Sequence, residues 1–136
     1  MKVNITKIIY AYIISSMVAS CDLGMPRLLV NYDHLPQNEI SDFIIRKFPN
    51  NDEDGLKKII NDKLNNDYSE DNIKRTVSKM GMVCITESNN CEYDGYVVTT
   101  LLKDGTKSSA KQIYNASINT KQGIDSFYLK KDIINY

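Results

Sequence analysis

The sequence predicts an α+β domain, in which two or three short N-terminal helices pack on an antiparallel sheet of three or four strands. Apolar residues recur at helical spacing in three segments before residue 81. The segments after residue 81 are rich in β-branched and aromatic residues and are separated by turn sequences. Helices followed by consecutive strands are typical of a domain with its helices on one face of the sheet. A chain of 136 residues has room for one such domain.

Three segments have one apolar helical face. Residues 37–48 carry apolar side chains at positions i, i+3, i+4 and i+8, and residues 52–65 repeat the pattern behind an acidic first turn. In the third segment Ser69 is expected to cap the N-terminus, and Gly81 is expected to end the helix. These features predict three helices joined by short loops.

The strands are predicted from composition and turn signals. The expected strands are Met82–Thr86, Tyr96–Leu102, Gln112–Ile118 and Ser126–Leu129. Lys103–Gly105 is turn sequence between the second and third strands, and Lys130–Asp132 is suited to the edge of the sheet. The expected topology is therefore a series of hairpins.

The segment before the first helix has few helix signals and contains Gly24, Pro26 and Pro36. We therefore predict a tether over residues 21–36 and a single domain over residues 37–136. Arg27–Tyr32 has a second interpretation, as an extended segment that docks on the sheet, and the sequence does not decide between the two.

Residues 1–20 have the layout of a secretory signal peptide. Lys2 and Lys7 precede the apolar stretch Ile8–Val18, and two small residues follow it. A membrane-spanning helix needs roughly 20 apolar residues, which this stretch does not supply.

The 17 basic and 17 acidic residues of the whole chain balance, but residues 1–20 contain two lysines and no acid. The remaining 116 residues therefore carry a net charge of −2, which excludes a strongly basic nucleic-acid-binding surface.

The end of the signal peptide, Val18-Ala19-Ser20-Cys21, resembles the lipobox of bacterial lipoproteins. In that family the Cys thiol receives a diacylglycerol and the chain is cut before the Cys. The resemblance implies a mature protein held on the bilayer through acylated Cys21, because two or three acyl chains anchor durably. Asp22 resembles the inner-membrane retention signal of enterobacterial lipoproteins, which implies the periplasmic face of the inner membrane. The other interpretation is an ordinary secreted protein cut near Ala19 or Cys21.

The order of elements is similar to the small helix-helix-sheet folds of periplasmic lipoproteins, such as the BamE/SmpA type. The similarity covers element order alone and carries no residue motif, so it supports a fold and not a function.

The three cysteines agree with export. Lipidation of Cys21 leaves Cys84 and Cys91 as a pair on either side of a predicted strand, turn and strand. We predict a disulfide between them. No CxxC is present and His34 is the single histidine, so we expect no metal site and no cofactor.

The sequence contains no known catalytic motif, and we expect no catalytic site. His34 lies in the predicted tether, where we expect it to be solvated. The acidic stretch after Pro49 lacks the final glutamate of a calcium loop, because Lys63 occupies that position. Glu92 and Asp94 share a strand face and are interpreted as solvent-facing charges, with acid–base chemistry as the alternative.

Tyrosines have two interpretations. Four of the nine fall in the predicted sheet: Tyr93, Tyr96, Tyr114 and Tyr128. Strands favour tyrosine as a half-buried residue, whereas exposed tyrosines on one face suit a protein-binding surface.

We predict a lipoprotein with a non-catalytic protein-interaction domain, whose role is accessory, inhibitory or immunity-type, or in envelope assembly. Its unknown partner is expected to be a protein rather than nucleic acid. The alternative is a secreted soluble effector or small hydrolase without a lipid anchor.

Overall fold

A computed structural model describes residues 24–136, so the predicted signal peptide and the residues Cys21 and Asp22 lie outside the described part. The described residues form three helices and five strands, with the helices on one face of the sheet. In chain order these are β1 (Arg27–Asn31), α1 (Glu39–Lys47), α2 (Glu53–Leu64), α3 (Glu70–Met80), β2 (Val83–Ile85), β3 (Asn90–Lys103), β4 (Thr106–Asn119) and β5 (Tyr128–Asn135), with a 3₁₀ turn at Ile124–Ser126. The predicted α+β class is confirmed.

All three helices lie where the apolar spacing predicts them, and each begins at a polar cap. The side chains of Asn38, Asp52 and Ser69 accept hydrogen bonds from the backbone N–H groups three residues further on. The helix α3 ends at Gly81, which has a φ of 115° and donates its N–H to carbonyls of the last turn. The caps that the sequence predicts at Ser69 and Gly81 are thus confirmed.

The sheet is antiparallel, in the order β1-β3-β4-β5, and β2 pairs with the beginning of β3. The strands β3 and β4 have 14 residues each and form a long hairpin, which is considerably longer than the predicted strands. The hairpin turns at Asp104-Gly105, both with positive φ, as a tight two-residue hairpin turn requires. β5 forms an edge of the sheet and carries the expected charged residues Lys130–Asp132.

The segment that the sequence left undecided is a strand. Arg27–Asn31 forms β1 and pairs antiparallel with residues 98–102 of β3, so the sheet includes residues that the sequence assigned to the tether. The physical reason is the short apolar run Leu28-Leu29-Val30, which suits an edge strand but is too short to distinguish from a linker in the sequence alone.

The core lies between the helices and the inner face of the sheet, which we define as the face that the helices cover. Alternate residues of β3 and β4, from Cys91 to Thr99 and from Gln112 to Ile118, point inward and are buried. One buried polar pair spans the two layers, because Ser41 Oγ of α1 lies 2.8 Å from Tyr93 Oη of β3.

The chain crosses from β1 to α1 through a gap in the sheet edge. β3 pairs with β2 at residues 90–92 and with β1 at residues 98–102, which leaves the middle of this edge open. Leu35 and Pro36 pack on the inner side of Gly95, where a Cβ atom would lie 2.9 Å and 3.2 Å from their side chains. Gly95 therefore permits a close crossing that a larger residue would obstruct.

No helix within residues 24–136 has both the length and the apolar character needed to cross a membrane.

Candidate functional site

The disulfide predicted from the cysteine spacing is formed. Cys84 of β2 and Cys91 of β3 are directly opposite each other in the ladder, with an S–S distance of 1.99 Å. Cys91 is fully buried in the core, and Cys84 packs against it. The bond fixes β2, which has three residues, to the end of β3, and its role here is structural.

The four sheet tyrosines divide equally between the two faces of the sheet. Tyr93 and Tyr114 point inward and are 2% and 1% exposed, whereas Tyr96 is half-buried and Tyr128 is exposed on the opposite side. Core packing therefore explains the first pair. The second pair is available for contact with another molecule.

The buried pair has perturbed acidity. Burial raises the pKa of Tyr93, and the hydrogen bond with Ser41 partly opposes the rise. Burial also raises the pKa of Tyr114 to about 12, and its hydroxyl has no hydrogen-bond partner among the described residues. Both pKa shifts result from burial in the core, so neither of them indicates a reactive group at the surface.

The candidate site is the outer face of the sheet, which we define as the side chains of β3, β4 and β5 that point away from the helices. The central ones are Glu92, Asp94, Tyr96, Lys111, Ile113, Asn115, Ser117, Tyr128 and Lys130. None of them is buried, because the three helices all pack on the inner face. An aromatic and apolar centre with charged residues around it is typical of protein-binding surfaces.

Tyr96 lies at the centre of this face and has three neighbours. His34 stacks on its ring with a centroid separation of 4.4 Å and an interplanar angle of 14°. Lys111 Nζ lies 3.9 Å from the centre of the same ring, and Ile113 is the cross-strand partner of Tyr96. Such cation–π and cross-strand contacts each contribute roughly 0.2–1 kcal/mol at exposed positions, so together they favour one orientation of the ring.

His34 therefore has a different environment from the one that the sequence predicts. Its side chain is exposed, as expected, but it stacks on Tyr96 because the segment between β1 and α1 passes through the gap in the sheet edge. No nucleophilic side chain is hydrogen-bonded to it among the described residues, so the structure does not form a triad around it.

Glu92 and Asp94 share the outer face and are both exposed, in agreement with their interpretation as solvent-facing charges. They line an open depression of about 290 Å³ together with Tyr128 and Lys130. The Asn115 side-chain amide donates a hydrogen bond to the Asp94 carboxylate. The depression brings together two carboxylates, a phenol and an amine, which is a set that could also bind a polar ligand.

The acidic stretch after Pro49 caps a helix. Asp52 accepts a hydrogen bond from the Gly55 N–H and forms a 3.2 Å salt bridge with Lys47. The backbone bond, followed by Lys47, lowers the pKa of Asp52. Within residues 24–136, no cluster of three histidine, cysteine, aspartate or glutamate side chains could hold a metal ion.

We define the Tyr96 cluster as Tyr96 with His34, Lys111 and Ile113. The sequence did not identify Lys111 and Ile113 as site residues. Both lie on the outward-pointing positions of β4, and the alternation of that strand would have placed them on one face. Their proximity to Tyr96 depends on the register of β3 and β4, which pairs Tyr96 with Ile113 and Val98 with Lys111. Register over a 14-residue hairpin follows from the Asp104-Gly105 turn, which the sequence does indicate.

The comparisons with known proteins add no family. No protein-family model matches the chain, and no curated protein or solved structure is significantly similar to it.

Proposed function

We propose that this chain is a lipoprotein of the bacterial envelope, held through acylated Cys21 at the periplasmic face of the inner membrane. Asp22 is the retention signal in this proposal. The support for the anchor is the sequence Val18-Ala19-Ser20-Cys21 behind an apolar stretch. The Cys84–Cys91 disulfide adds to this support, because it accounts for both other cysteines and leaves Cys21 as the one not in the pair.

We further propose that the domain is a non-catalytic protein-interaction module whose partner binds the outer face of the sheet. The observation that carries this proposal is the Tyr96 cluster. An aromatic ring held in place by His34 and Lys111 on an uncovered sheet face loses little side-chain entropy when a partner covers it. The charged residues around it, Glu92 and Lys130, would form the rim of the interface.

The anchor is tested by labelling with radioactive palmitate in a bacterial host. We expect wild-type protein to incorporate the label and its processing to stop in the presence of globomycin. The Cys21→Ala variant should lose both the label and the membrane association. Unchanged labelling of that variant contradicts the anchor at Cys21.

The interaction surface is tested by site-specific photocrosslinking in the native envelope. A photoreactive residue replaces Ile113 on the outer face or, as a control, Lys58 on the exposed side of α2. We expect a discrete adduct from position 113 alone, and we expect Tyr96→Ala to remove that adduct without changing the circular dichroism spectrum. Equal adducts from both positions would exclude the outer face as the specific site.

A second candidate function, a secreted soluble hydrolase, is favoured by the depression that contains Glu92, Asp94 and Tyr128. It predicts a mature chain that begins near Cys21 and carries no lipid mass. The intact mass of the exported protein therefore separates the two functions in one measurement.

A further inference from the structure

The end of the β3–β4 hairpin extends beyond the helices. The buried alternation of the inner face ends at Thr99 of β3 and Gln112 of β4. Closer to the hairpin turn, Leu28 of β1 and Leu101 of β3 form an inward-pointing cross-strand pair. Their side chains are 60% and 41% exposed, because no helix covers this part of the sheet. The end of the hairpin is therefore a projecting surface that the fold itself does not need to bury.

This projecting surface is basic, whereas the exported part of the chain is mildly acidic. We define the hairpin tip as residues 24–27 together with residues 102–107, which surround an open cavity of about 580 Å³. It contains three cations, Arg27, Lys103 and Lys107, against the single acid Asp104. Neither lysine forms a salt bridge with any residue from 24 to 136.

The hairpin tip also exposes an apolar side chain beside these cations. Met25 is 78% exposed and lines the same cavity. Basic residues next to an exposed apolar residue suit the boundary between lipid headgroups and acyl chains, where each type of side chain finds a favourable environment.

The position of the hairpin tip along the chain is the second observation. Gly24 lies against the turn of the hairpin, because a Cβ atom on Gly24 would be 3.7 Å from Asp104 Oδ1. Three peptide units separate Gly24 from Cys21, and covalent geometry limits their reach to roughly 11 Å. An acylated Cys21 would therefore hold the tip, and not another part of the domain, close to the headgroup layer of the bilayer.

We propose that the hairpin tip is a second membrane contact, in which Lys103 and Lys107 bind the phosphates of anionic phospholipids and Met25 enters the interfacial region. This inference rests on the proposed lipid anchor at Cys21. It orients the domain with the long axis of the hairpin away from the bilayer. The opposite end of β4, at Asn119–Gly123, is then roughly 40 Å from the tip, since each residue of a strand advances about 3.3 Å.

The test uses the mature lipidated protein in vesicles of phosphatidylcholine with or without phosphatidylglycerol. A single added cysteine, Thr106→Cys at the tip or Gln122→Cys at the opposite end, carries an environment-sensitive fluorophore, and a lipid-borne nitroxide acts as quencher. The native Cys84 and Cys91 do not react because they form a disulfide. We expect strong quenching at position 106 in vesicles with phosphatidylglycerol and almost none at position 122.

Two matched double variants test whether the lysines of the hairpin tip bind the anionic lipid. Lys103→Gln with Lys107→Gln should reduce the contact of the tip with anionic vesicles by roughly fivefold per lysine. Lys58→Gln with Lys79→Gln removes the same charge from exposed positions on α2 and α3 and should leave quenching unchanged. An equal effect of both pairs would show attraction by net charge alone and would overturn the assignment to the tip.

The outcomes separate this inference from the proposed anchor. Protein that floats with the vesicles but shows equal quenching at positions 106 and 122 retains the anchor and overturns the contact by the tip. Protein without lipid mass that does not float with any vesicle overturns the anchor, and the inference with it.

Discussion

At the scale of single residues, the buried tyrosines show how packing controls ionisation. Tyr93 and Tyr114 both lie under the helices, but only Tyr93 has a hydrogen-bond partner, Ser41. A buried hydroxyl without a partner loses its hydration and gains nothing in return. Tyr114 therefore gives the fold apolar ring contacts, and its hydroxyl contributes no hydrogen bond within the described part of the chain.

This difference predicts an alkaline loss of stability that depends on Tyr114. Its pKa is about 12 in the folded chain and about 10 in the unfolded chain, so the unfolded state loses the proton first. The stabilising effect is complete below pH ~10 and is lost as the pH rises to about 12, with a slope approaching ~1.4 kcal/mol per pH unit. We expect Tyr114→Phe to reduce this slope, as measured by urea unfolding between pH 8 and about pH 11.

Tyr93→Phe is the matched control at neutral pH. It removes one partner of a buried hydrogen bond and should lower the free energy of unfolding by about 1 kcal/mol, whereas Tyr114→Phe should leave it unchanged or raise it. A larger loss in Tyr114→Phe than in Tyr93→Phe would contradict the absence of a partner for the Tyr114 hydroxyl.

At the scale of secondary-structure elements, the end of α3 and the beginning of α1 depend on one glycine. Gly81 ends α3 with a positive φ, and a Cβ atom there would lie 2.2 Å from the side chain of Asn38. Asn38 is itself the N-cap of α1. The two helix termini therefore pack against each other without room for a side chain at residue 81.

Gly81→Ala should consequently cost more than the same change at Gly105, which also has a positive φ but has no neighbouring atom within 4 Å of the added Cβ. In both variants the strain of a left-handed alanine lowers the free energy of unfolding by about 1–2 kcal/mol. Gly81→Ala also displaces the Asn38 cap, which adds about 1 kcal/mol. Equal midpoints in urea unfolding would argue against this contact between the helix termini.

The disulfide acts on one element, β2. Cys84 and Cys91 close a loop of eight residues, for which loop entropy gives a stabilisation of roughly 2.5 kcal/mol. We expect Cys84→Ala with Cys91→Ala to lower stability by this order and to speed amide exchange in β2 while exchange in the central part of β3 and β4 stays slow. Uniformly faster exchange in all strands would show that the bond supports the whole sheet. Non-reduced peptide mapping verifies the bond in the native protein.

At the scale of the whole molecule, the two proposed surfaces lie at different places on one long hairpin. Tyr96 and Lys103 are seven residues apart on β3, which corresponds to roughly 23 Å along a strand. Changes at sites this far apart, with no shared contacts, usually have additive effects. The membrane and a protein partner would then bind without competition.

We therefore predict that Lys103→Gln with Lys107→Gln leaves the yield of the position-113 crosslink unchanged, and that Tyr96→Ala leaves quenching at position 106 unchanged. The combined variant should show the sum of the separate effects. Loss of the crosslink in the lysine variant would mean that the orientation of the domain on the membrane controls access to the partner.

The sequence by itself determined the helices, the fold class and the cysteine pairing. Those features depend on local patterns: an apolar face at helical spacing, polar caps such as Ser69, and two cysteines on either side of a turn. The same local patterns predict the Asp104-Gly105 turn that sets the hairpin register.

Only the tertiary structure decided which tyrosines are buried, that β1 is a strand, and that His34, Tyr96 and Lys111 lie together. The physical reason is that these features depend on which face of a strand the helices cover and on where a distant segment crosses the sheet. A five-residue segment such as Arg27–Asn31 becomes a strand when an open edge accepts its hydrogen bonds, and that edge is provided by β3, which lies about 70 residues later in the chain.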